Sequence, residues 1–253
     1  MWRHRSEGRP RVFGHRGAMG YAPENTFASF ERAIELGVDA IELDVHLTAD
    51  GEVVVIHDAF LDRTTNGDGL VGQKTLAELK TLDAGVHFGP EFAGQRIPTL
   101  GEVLAWARGK GVIDVEIKGG SWPYAGIEAR VVELIRAHEM VDQTIVISFD
   151  HPTVARVKSL APEIAAGALW NCRPVDPVAV ARAAGADAIM PQWPYCDAET
   201  VERAHAAGLS VNPWTANEPE VVEHLIGLGV DSICSNYPDV VVKAIRALDR
   251  ASG

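Results

Sequence analysis

Two apolar runs of the sequence carry polar side chains at every second position. The polar residues that share this phase are Glu42, Asp44 and His46 in the first run and Asp114, Glu116 and Lys118 in the second. Because successive side chains of a β-strand point to opposite faces, each run would hold its acids on one face and its apolar residues on the other. Solvent-exposed edge strands could produce the pattern once, but two runs in the same phase favour a shared interior face.

Carboxylates that share an interior face need a cation. Burying several acids is unfavourable unless a positive charge neutralises them. A set of ligands made only of oxygen atoms suits Mg²⁺, Ca²⁺ or Mn²⁺ better than zinc. The two runs therefore predict a site for one divalent cation.

Two histidines follow short apolar runs, in positions where they could move protons. These residues are His15 and His57. An unperturbed imidazole has a pKa of about 6.5, which suits proton transfer at neutral pH. Arg16 and Lys118 supply positive charge for a phosphate, which an arginine can bind through two hydrogen bonds.

The elements that must position these residues alternate along the whole chain. The predicted strands are 11–14, 39–47, 112–117, 144–148, 164–169, 188–191, 209–214 and 232–234, and the predicted helices between and after them are 24–36, 100–108, 126–138, 152–160, 177–184, 198–207, 218–228 and 238–248. This order predicts βα units around a parallel sheet. Eight units result if Val53–Ile56 extends the second strand instead of forming a barrel strand. A barrel of this kind takes roughly 250 residues and builds its active site at the C-terminal ends of its strands.

Residues 58–98 break the regular spacing. This stretch is glycine-rich, contains one short helical piece at Leu76–Leu82, and is too long for an ordinary connection. We interpret it as an inserted subdomain between strand two and helix two, over the mouth of the barrel. No linker or change of composition divides the chain, so residues 1–253 are expected to form a single α/β domain, a (β/α)₈ TIM barrel.

Composition excludes several classes of partner. The net charge is −12, and no dense run of Lys or Arg predicts nucleic-acid binding. No window approaches the roughly 18 apolar residues of a membrane span, and no apolar stretch follows the basic first ten residues. Three widely spaced cysteines imply no disulfide framework. We therefore expect a cytoplasmic protein with a small-molecule partner; the sequence leaves its oligomeric state open.

Several motifs in fixed order resemble those of one enzyme family. They read His15-Arg16-Gly17, Ala22-Pro23-Glu24-Asn25-Thr26, Glu42-Leu43-Asp44-Val45, Val53–Asp58, Leu61–Gly67, Ile97–Leu100, Glu116-Ile117-Lys118, Trp214-Thr215 and Gly229-Val230-Asp231. Together they cover about residues 11–240 and resemble the glycerophosphodiester phosphodiesterases. The resemblance implies a (β/α)₈ barrel with a small inserted subdomain.

The resemblance also implies an activity, namely metal-dependent hydrolysis of a glycerophosphodiester to an alcohol and glycerol 3-phosphate. The roles it implies are Glu42, Asp44 and Glu116 for one divalent cation, usually Mg²⁺ or Ca²⁺; His15 and His57 as general acid and base; Arg16 and Lys118 for the phosphate; and Trp214 on the glycerol side. Ordinary barrel packing is the alternative for Trp214. Which histidine is the base stays open, as does the attacking group, which is water or the 2-hydroxyl of the glycerol.

Two positions depart from the family pattern or lie outside it. Asn236 stands where the family commonly has Asp, which removes a negative charge near the pocket. His46 shares the inward phase at a position that the family does not fix, so we expect a supporting or solvent-facing residue there. The rival functions are a phospholipase D- or sphingomyelinase D-like enzyme acting on lysophospholipids, and a non-catalytic barrel that binds phosphodiesters.

Overall fold

Eight parallel strands form the sheet of the computed structural model, which describes residues 8–119 and 124–251. The barrel strands are β1 (Arg11–Gly14), β2 (Ala40–Leu47), β4 (Val112–Ile117), β5 (Thr144–Ser148), β6 (Ala165–Trp170), β7 (Ala188–Pro191), β8 (Ser210–Val211) and β9 (Ser232–Ser235). Their order is β8-β7-β6-β5-β4-β2-β1-β9. Backbone hydrogen bonds from Asp231 N to Val211 O (2.8 Å) and from Cys234 N to Pro213 O (3.1 Å) join the two ends of that order. The sheet is therefore a nearly closed barrel, as predicted.

Helices follow the barrel strands on the outside. They are α1 (Phe27–Leu36), α3 (Leu100–Ala107), α4 (Ile127–Ala137), α5 (His151–Leu160), α6 (Pro177–Ala183), α7 (Ala198–Ala206), α8 (Pro219–Gly227) and α9 (Pro238–Ala251), while α2 (Leu76–Leu79) lies in the insertion. The outward residues of β2, Ile41, Leu43 and Val45, are at most 1% exposed and pack in the core beneath these helices. The apolar phase of the strand thus faces the helix layer, and its acidic phase faces the interior of the barrel. Within the described residues, no helix has the length and apolarity of a membrane span.

The short strand β3 (Val53–Val55) is not part of the barrel. It pairs antiparallel with β2, with Val45 opposite Val55 and Leu47 opposite Val53. The run lies outside the barrel, as expected, but it does not extend β2: the chain turns after Leu47 and β3 folds back along β2 as a hairpin. The hairpin returns the chain to the C-terminal end of the barrel, where His57 follows it.

The insertion, residues 58–98, has apolar contacts of its own. Leu61, Val71, Leu79, Ala84 and Ile97 form a buried cluster with two residues of the hairpin return, Val54 and Ile56. Its two ends meet, because Val55 N donates to Pro98 O (2.8 Å) and Val54 bridges Thr99. The helical piece ends at Leu79 and not at Leu82.

Among the other boundaries that differ from the prediction, two have clear local reasons. Helix α1 begins at Phe27 and not at Glu24, because Asn25 has a left-handed backbone (φ 59) and the Thr26 side chain caps Ser29 N. Its C-terminal end is where predicted, at Gly37 in the left-handed region (φ 87). Strand β8 ends at Val211 because Pro213 has no amide hydrogen to continue the ladder.

Candidate active site

A cavity of about 210 Å³ opens at the C-terminal mouth of the barrel. Seven of the eight residues predicted for the site line it, namely His15, Arg16, Glu42, His57, Glu116, Lys118 and Trp214. The eighth, Asp44, is fully buried beside them. Residues far apart in the chain therefore meet at the end of the barrel where a (β/α)₈ fold builds its active site.

Three carboxylates form an acid cluster at the base of this cavity: Glu42, Asp44 and Glu116. One oxygen from each lies within 4.8 Å of the others. Register explains the convergence, since β2 and β4 are neighbours and Asp44 lies directly opposite Glu116. All three are buried, at 4%, 0% and 7% exposure.

A fourth acid shares this interior face. Asp114 lies opposite Glu42 in the register, lines the cavity and is 3% exposed. Its Oδ1 has no hydrogen-bond partner in the part of the chain that the structure describes. Burial, with the charges of Glu116 and Asp44, raises the pKa of Asp114 well above its usual value.

Two cations lie against the acid cluster. The ammonium of Lys118 is 2.8 Å from Asp44 Oδ1 and 2.6 Å from Glu116 Oε1. The guanidinium of Arg16 is 3.3 Å from Asp44 Oδ2, and its backbone N–H donates to Glu42 Oε2 at 2.9 Å. Arg16 and Lys118, which were expected to bind the phosphate, therefore lie at the cavity and neutralise carboxylates there.

These charges perturb the acids in opposite directions. Burial would raise the pKa of Asp44, but the nearby Lys118 and Arg16 outweigh it and hold that pKa below its usual value. Burial and the charges of Asp44 and Glu116 raise the pKa of Glu42 well above its usual value. Burial raises the pKa of Glu116 to about 7. The acid cluster with its two cations thus still lacks positive charge.

His15 is held by an amide. Its Nδ1 lies 2.6 Å from Asn236 Oδ1, and its Nε2 lies 3.9 Å from Glu42 Oε2. Because an amide oxygen only accepts, Nδ1 carries the hydrogen and Nε2 keeps its lone pair. Burial, with the charge of Arg16, lowers the pKa of His15 to about 4. The sequence indicated that Asn236 matters at this end of the site, but not that it contacts His15.

His57 is held by a carboxylate. Its Nδ1 donates to Asp58 Oδ1 at 2.6 Å. Burial raises the pKa of Asp58 less than the hydrogen bonds from Arg63 and His57 lower it, so that pKa is about 2. Burial lowers the pKa of His57 itself, with the charge of Asp44 opposing the shift. The two histidines of the cavity therefore have unlike partners, one neutral and one anionic.

Asp58 belongs to a chain of ion pairs that the sequence does not predict. Arg63, in the insertion, contacts Asp58 and also binds Glu24 through two hydrogen bonds of 2.7 and 2.8 Å. Glu24 in turn accepts a 2.9 Å hydrogen bond from Arg16. Glu24 and Arg63 lie within recognised motifs, but only the fold reveals that residues 39 apart are paired.

His46 is neither solvent-facing nor part of the cavity wall. It is 4% exposed, and its two ring nitrogens contact the Tyr124 hydroxyl and the carbonyl oxygen of His57. Burial lowers the pKa of His46 to about 4, so the ring is neutral at pH 7. Of the two roles expected from the sequence, the supporting one fits this position.

Apolar side chains form a further part of the cavity wall. Trp214 packs edge-on against Phe149, with ring centroids 5.4 Å apart, and its Nε1 donates to Met190 O at 2.9 Å. Because this N–H is already bonded, the indole offers only its apolar surface to the cavity. The other apolar residues of the wall are Phe13, Ile147, Leu169 and Cys234.

Comparison with known proteins places this site in a family. The model of the glycerophosphoryl diester phosphodiesterase family matches residues 15–240. A curated glycerophosphodiester phosphodiesterase of Caldanaerobacter subterraneus subsp. tengcongensis is 42% identical over 236 residues, which cover 93% of this chain and 97% of that relative.

Solved structures agree. An Oleispira antarctica phosphodiesterase, in complex with the product sn-glycerol-3-phosphate, is 34% identical with a TM-score of 0.87, covering 94% of this chain and 97% of that one. A glycerophosphodiester phosphodiesterase from Agrobacterium tumefaciens is 33% identical with a TM-score of 0.83, covering 92% and 99%. The chain therefore belongs to the glycerophosphoryl diester phosphodiesterase family.

Proposed function

We propose that this protein is a metal-dependent glycerophosphodiester phosphodiesterase, which hydrolyses its substrate to an alcohol and glycerol 3-phosphate. The observation that carries the proposal is one cavity that joins three converging carboxylates to two histidines with unlike hydrogen-bond partners. Family membership and the relative solved with sn-glycerol-3-phosphate support the same substrate class.

The acid cluster fits a divalent cation. Four inward acids, Asp114 included, share the cavity with two cations, Arg16 and Lys118, among the residues that the structure describes, so full ionisation would leave two negative charges for a bound ion to offset. The donors are all carboxylate oxygens, which suit Mg²⁺, Ca²⁺ or Mn²⁺. Glu42, Asp44 and Glu116 would hold the ion. When bound, it would polarise a phosphate oxygen and offset the charge that grows in the transition state.

We assign the general base to His15 and the general acid to His57. His15 Nε2 keeps a lone pair because Nδ1 donates to a neutral amide, so it can accept the proton of the attacking hydroxyl, whether water or the 2-hydroxyl of the glycerol. His57 lies against the carboxylate of Asp58, which favours the protonated ring. As the bond from phosphorus to the alcohol breaks, the departing oxygen takes the proton from His57 Nε2.

The remaining residues bind the substrate. Arg16 and Lys118 lie at the cavity and would exchange part of their contact with the acid cluster for the phosphate once a cation neutralises the acids. The apolar face of Trp214 fits the carbon side of the glycerol. We further propose that residues 58–98 act as the small inserted subdomain of one barrel domain, and that the protein works in the cytoplasm, where its free cysteines stay reduced.

A turnover assay tests the proposal against its rivals. The protein is incubated with Mg²⁺ or Ca²⁺ and with glycerophosphocholine or, in parallel, lysophosphatidylcholine. Released choline is measured for both substrates, and released glycerol 3-phosphate for glycerophosphocholine. We expect turnover of glycerophosphocholine that stops after chelation with EDTA. Turnover of the lysolipid alone would support the phospholipase D-like rival, and binding without turnover of either would support the non-catalytic one.

A further inference from the structure

We propose that His46 and Tyr124 form a positioning pair that fixes the backbone of His57 and thereby aims its imidazole into the cavity. The inference rests on the proposed function, because it concerns the histidine that we assign as general acid. Neither residue touches the cavity. Both act through His57.

Hydrogen-bond chemistry fixes the orientation of His46. Its Nε2 lies 2.8 Å from the carbonyl oxygen of His57, which can only accept, so Nε2 carries the hydrogen. Its Nδ1 then keeps the lone pair of the neutral ring, and the Tyr124 hydroxyl donates to it at 2.8 Å. One tautomer satisfies both contacts, which leaves the ring no alternative arrangement with equal bonding.

Tyr124 is itself held in place by packing. Its ring lies edge-on to the His46 ring, with centroids 5.4 Å apart. It also lies against the backbone of Gly72 in the insertion, where an added Cβ would come within 2.8 Å of the tyrosine Cε1. The hydroxyl therefore reaches His46 from a position that β2 and the insertion jointly determine.

His57 needs this support because it lies beyond the strand that delivers it. The pairing of β2 with β3 ends at Val55, and the N–H of Ile56 donates to Asp44 O at 3.0 Å. The hydrogen bond from His46 Nε2 then holds the next residue, His57, by its carbonyl oxygen. Together with the bond from its ring to Asp58, it holds His57 at two points. A misplacement of about 1 Å in a reacting group can reduce turnover on the order of 10²-fold.

Three variants test the pair: His46→Leu, His46→Gln and Tyr124→Phe. We expect His46→Leu to lower kcat for glycerophosphocholine on the order of 10-fold or more, with KM and Mg²⁺ affinity changed by no more than about 3-fold. A glutamine amide can donate to the same carbonyl, so His46→Gln should recover most of kcat. Tyr124→Phe removes only the donor to Nδ1 and should lower kcat by about 3-fold.

His205→Gln is the matched control. His205 is also a largely buried histidine, but its Nε2 contacts Asp231 Oδ2 (2.7 Å) at the opposite end of the barrel. This variant should lower the unfolding temperature and leave kcat unchanged. If His46→Leu does not fold, kcat of Tyr124→Phe and His46→Gln is compared with that of this control. A fall of about 3-fold in Tyr124→Phe supports the positioning pair, and kcat equal to the control in both variants contradicts it.

Other outcomes overturn the inference. A folded His46→Leu protein with normal kcat would do so, and so would a fall in kcat that tracks an equal fall in Mg²⁺ affinity. Failure of the proposed function is recognised separately by His57→Ala. If that variant keeps normal kcat, the assignment of the acid is wrong; if it loses activity while His46→Leu does not, only the positioning pair is wrong.

Discussion

Replacing Asn236 by Asp should move the acidic side of the pH–rate profile. The amide oxygen of Asn236 lies 2.6 Å from His15 Nδ1, so the variant would place a carboxylate there. A nearby negative charge stabilises the imidazolium and raises its pKa. Two unit charges about 4 Å apart interact by about 4 kcal/mol at an effective dielectric constant of about 20, which corresponds to about 3 pKa units. Loss of water around the new carboxylate reduces this gain, so we expect a rise of about 1 to 3 units.

The direction of the change in activity follows from the role of the base. His15 acts when unprotonated, so activity is lost as the pH falls through the pKa of His15, which is about 4 in the native protein. In Asn236→Asp that loss should occur at a higher pH, and the variant should be less active than the native enzyme at pH 5.

The assay is kcat/KM for glycerophosphocholine across the acid range, since this ratio reports the groups of the free enzyme. Asn66→Asp is the control. It adds the same charge in the insertion, where Asn66 Oδ1 accepts from Asp83 N and does not contact His15. An acidic limb that stays in place in a folded Asn236→Asp protein with normal Mg²⁺ affinity would refute the assignment of His15 as the base.

Three further predictions address the other groups of the site. Glu116→Gln should lower Mg²⁺ affinity by about 10-fold or more in calorimetric titration and lower kcat with it; an unchanged affinity would remove Glu116 from the ligands. His57→Ala should lower kcat on the order of 10²-fold with metal binding intact, and the double variant with His15→Ala should be little worse. Asp58→Asn removes the carboxylate that favours protonated His57, so the pKa of His57 falls. The loss of activity at high pH should therefore begin at a lower pH than in the native enzyme. A shift of this loss to a higher pH would contradict the acid role of His57.

The repeating pattern of the sequence predicts the barrel because its signals are local. Each strand and helix is specified by a few neighbouring residues, and the polar phase of β2 and β4 was enough to predict that Glu42, Asp44 and Glu116 converge. Counting eight units excluded Val53–Ile56 from the barrel but did not predict its hairpin return along β2. The family motifs supplied the roles that alternation alone could not.

What the sequence did not predict depends on contacts between distant residues. Asn236 meets His15 across 221 positions, and Arg63 meets Glu24 across 39. The start of α1 was misplaced because the left-handed backbone of Asn25 is fixed by its tertiary surroundings, including the 2.8 Å bond from its side chain to Asp44 Oδ2. None of these pairings leaves a periodic signal in the sequence.

Because the two ends of the insertion meet, its length and sequence can change without moving the barrel strands. Since Val54 pairs with Thr99 and Val55 N bonds Pro98 O, the excursion leaves and rejoins the barrel at adjacent points. The entropy of closing a loop changes only by about 0.6 kcal/mol for each doubling of its length. Relatives could therefore lengthen, shorten or replace the middle of this segment while the strands keep their register. Changes to this segment would then leave the barrel strands in place and reach the site through contacts such as Arg63 with Glu24 and Gly72 with Tyr124.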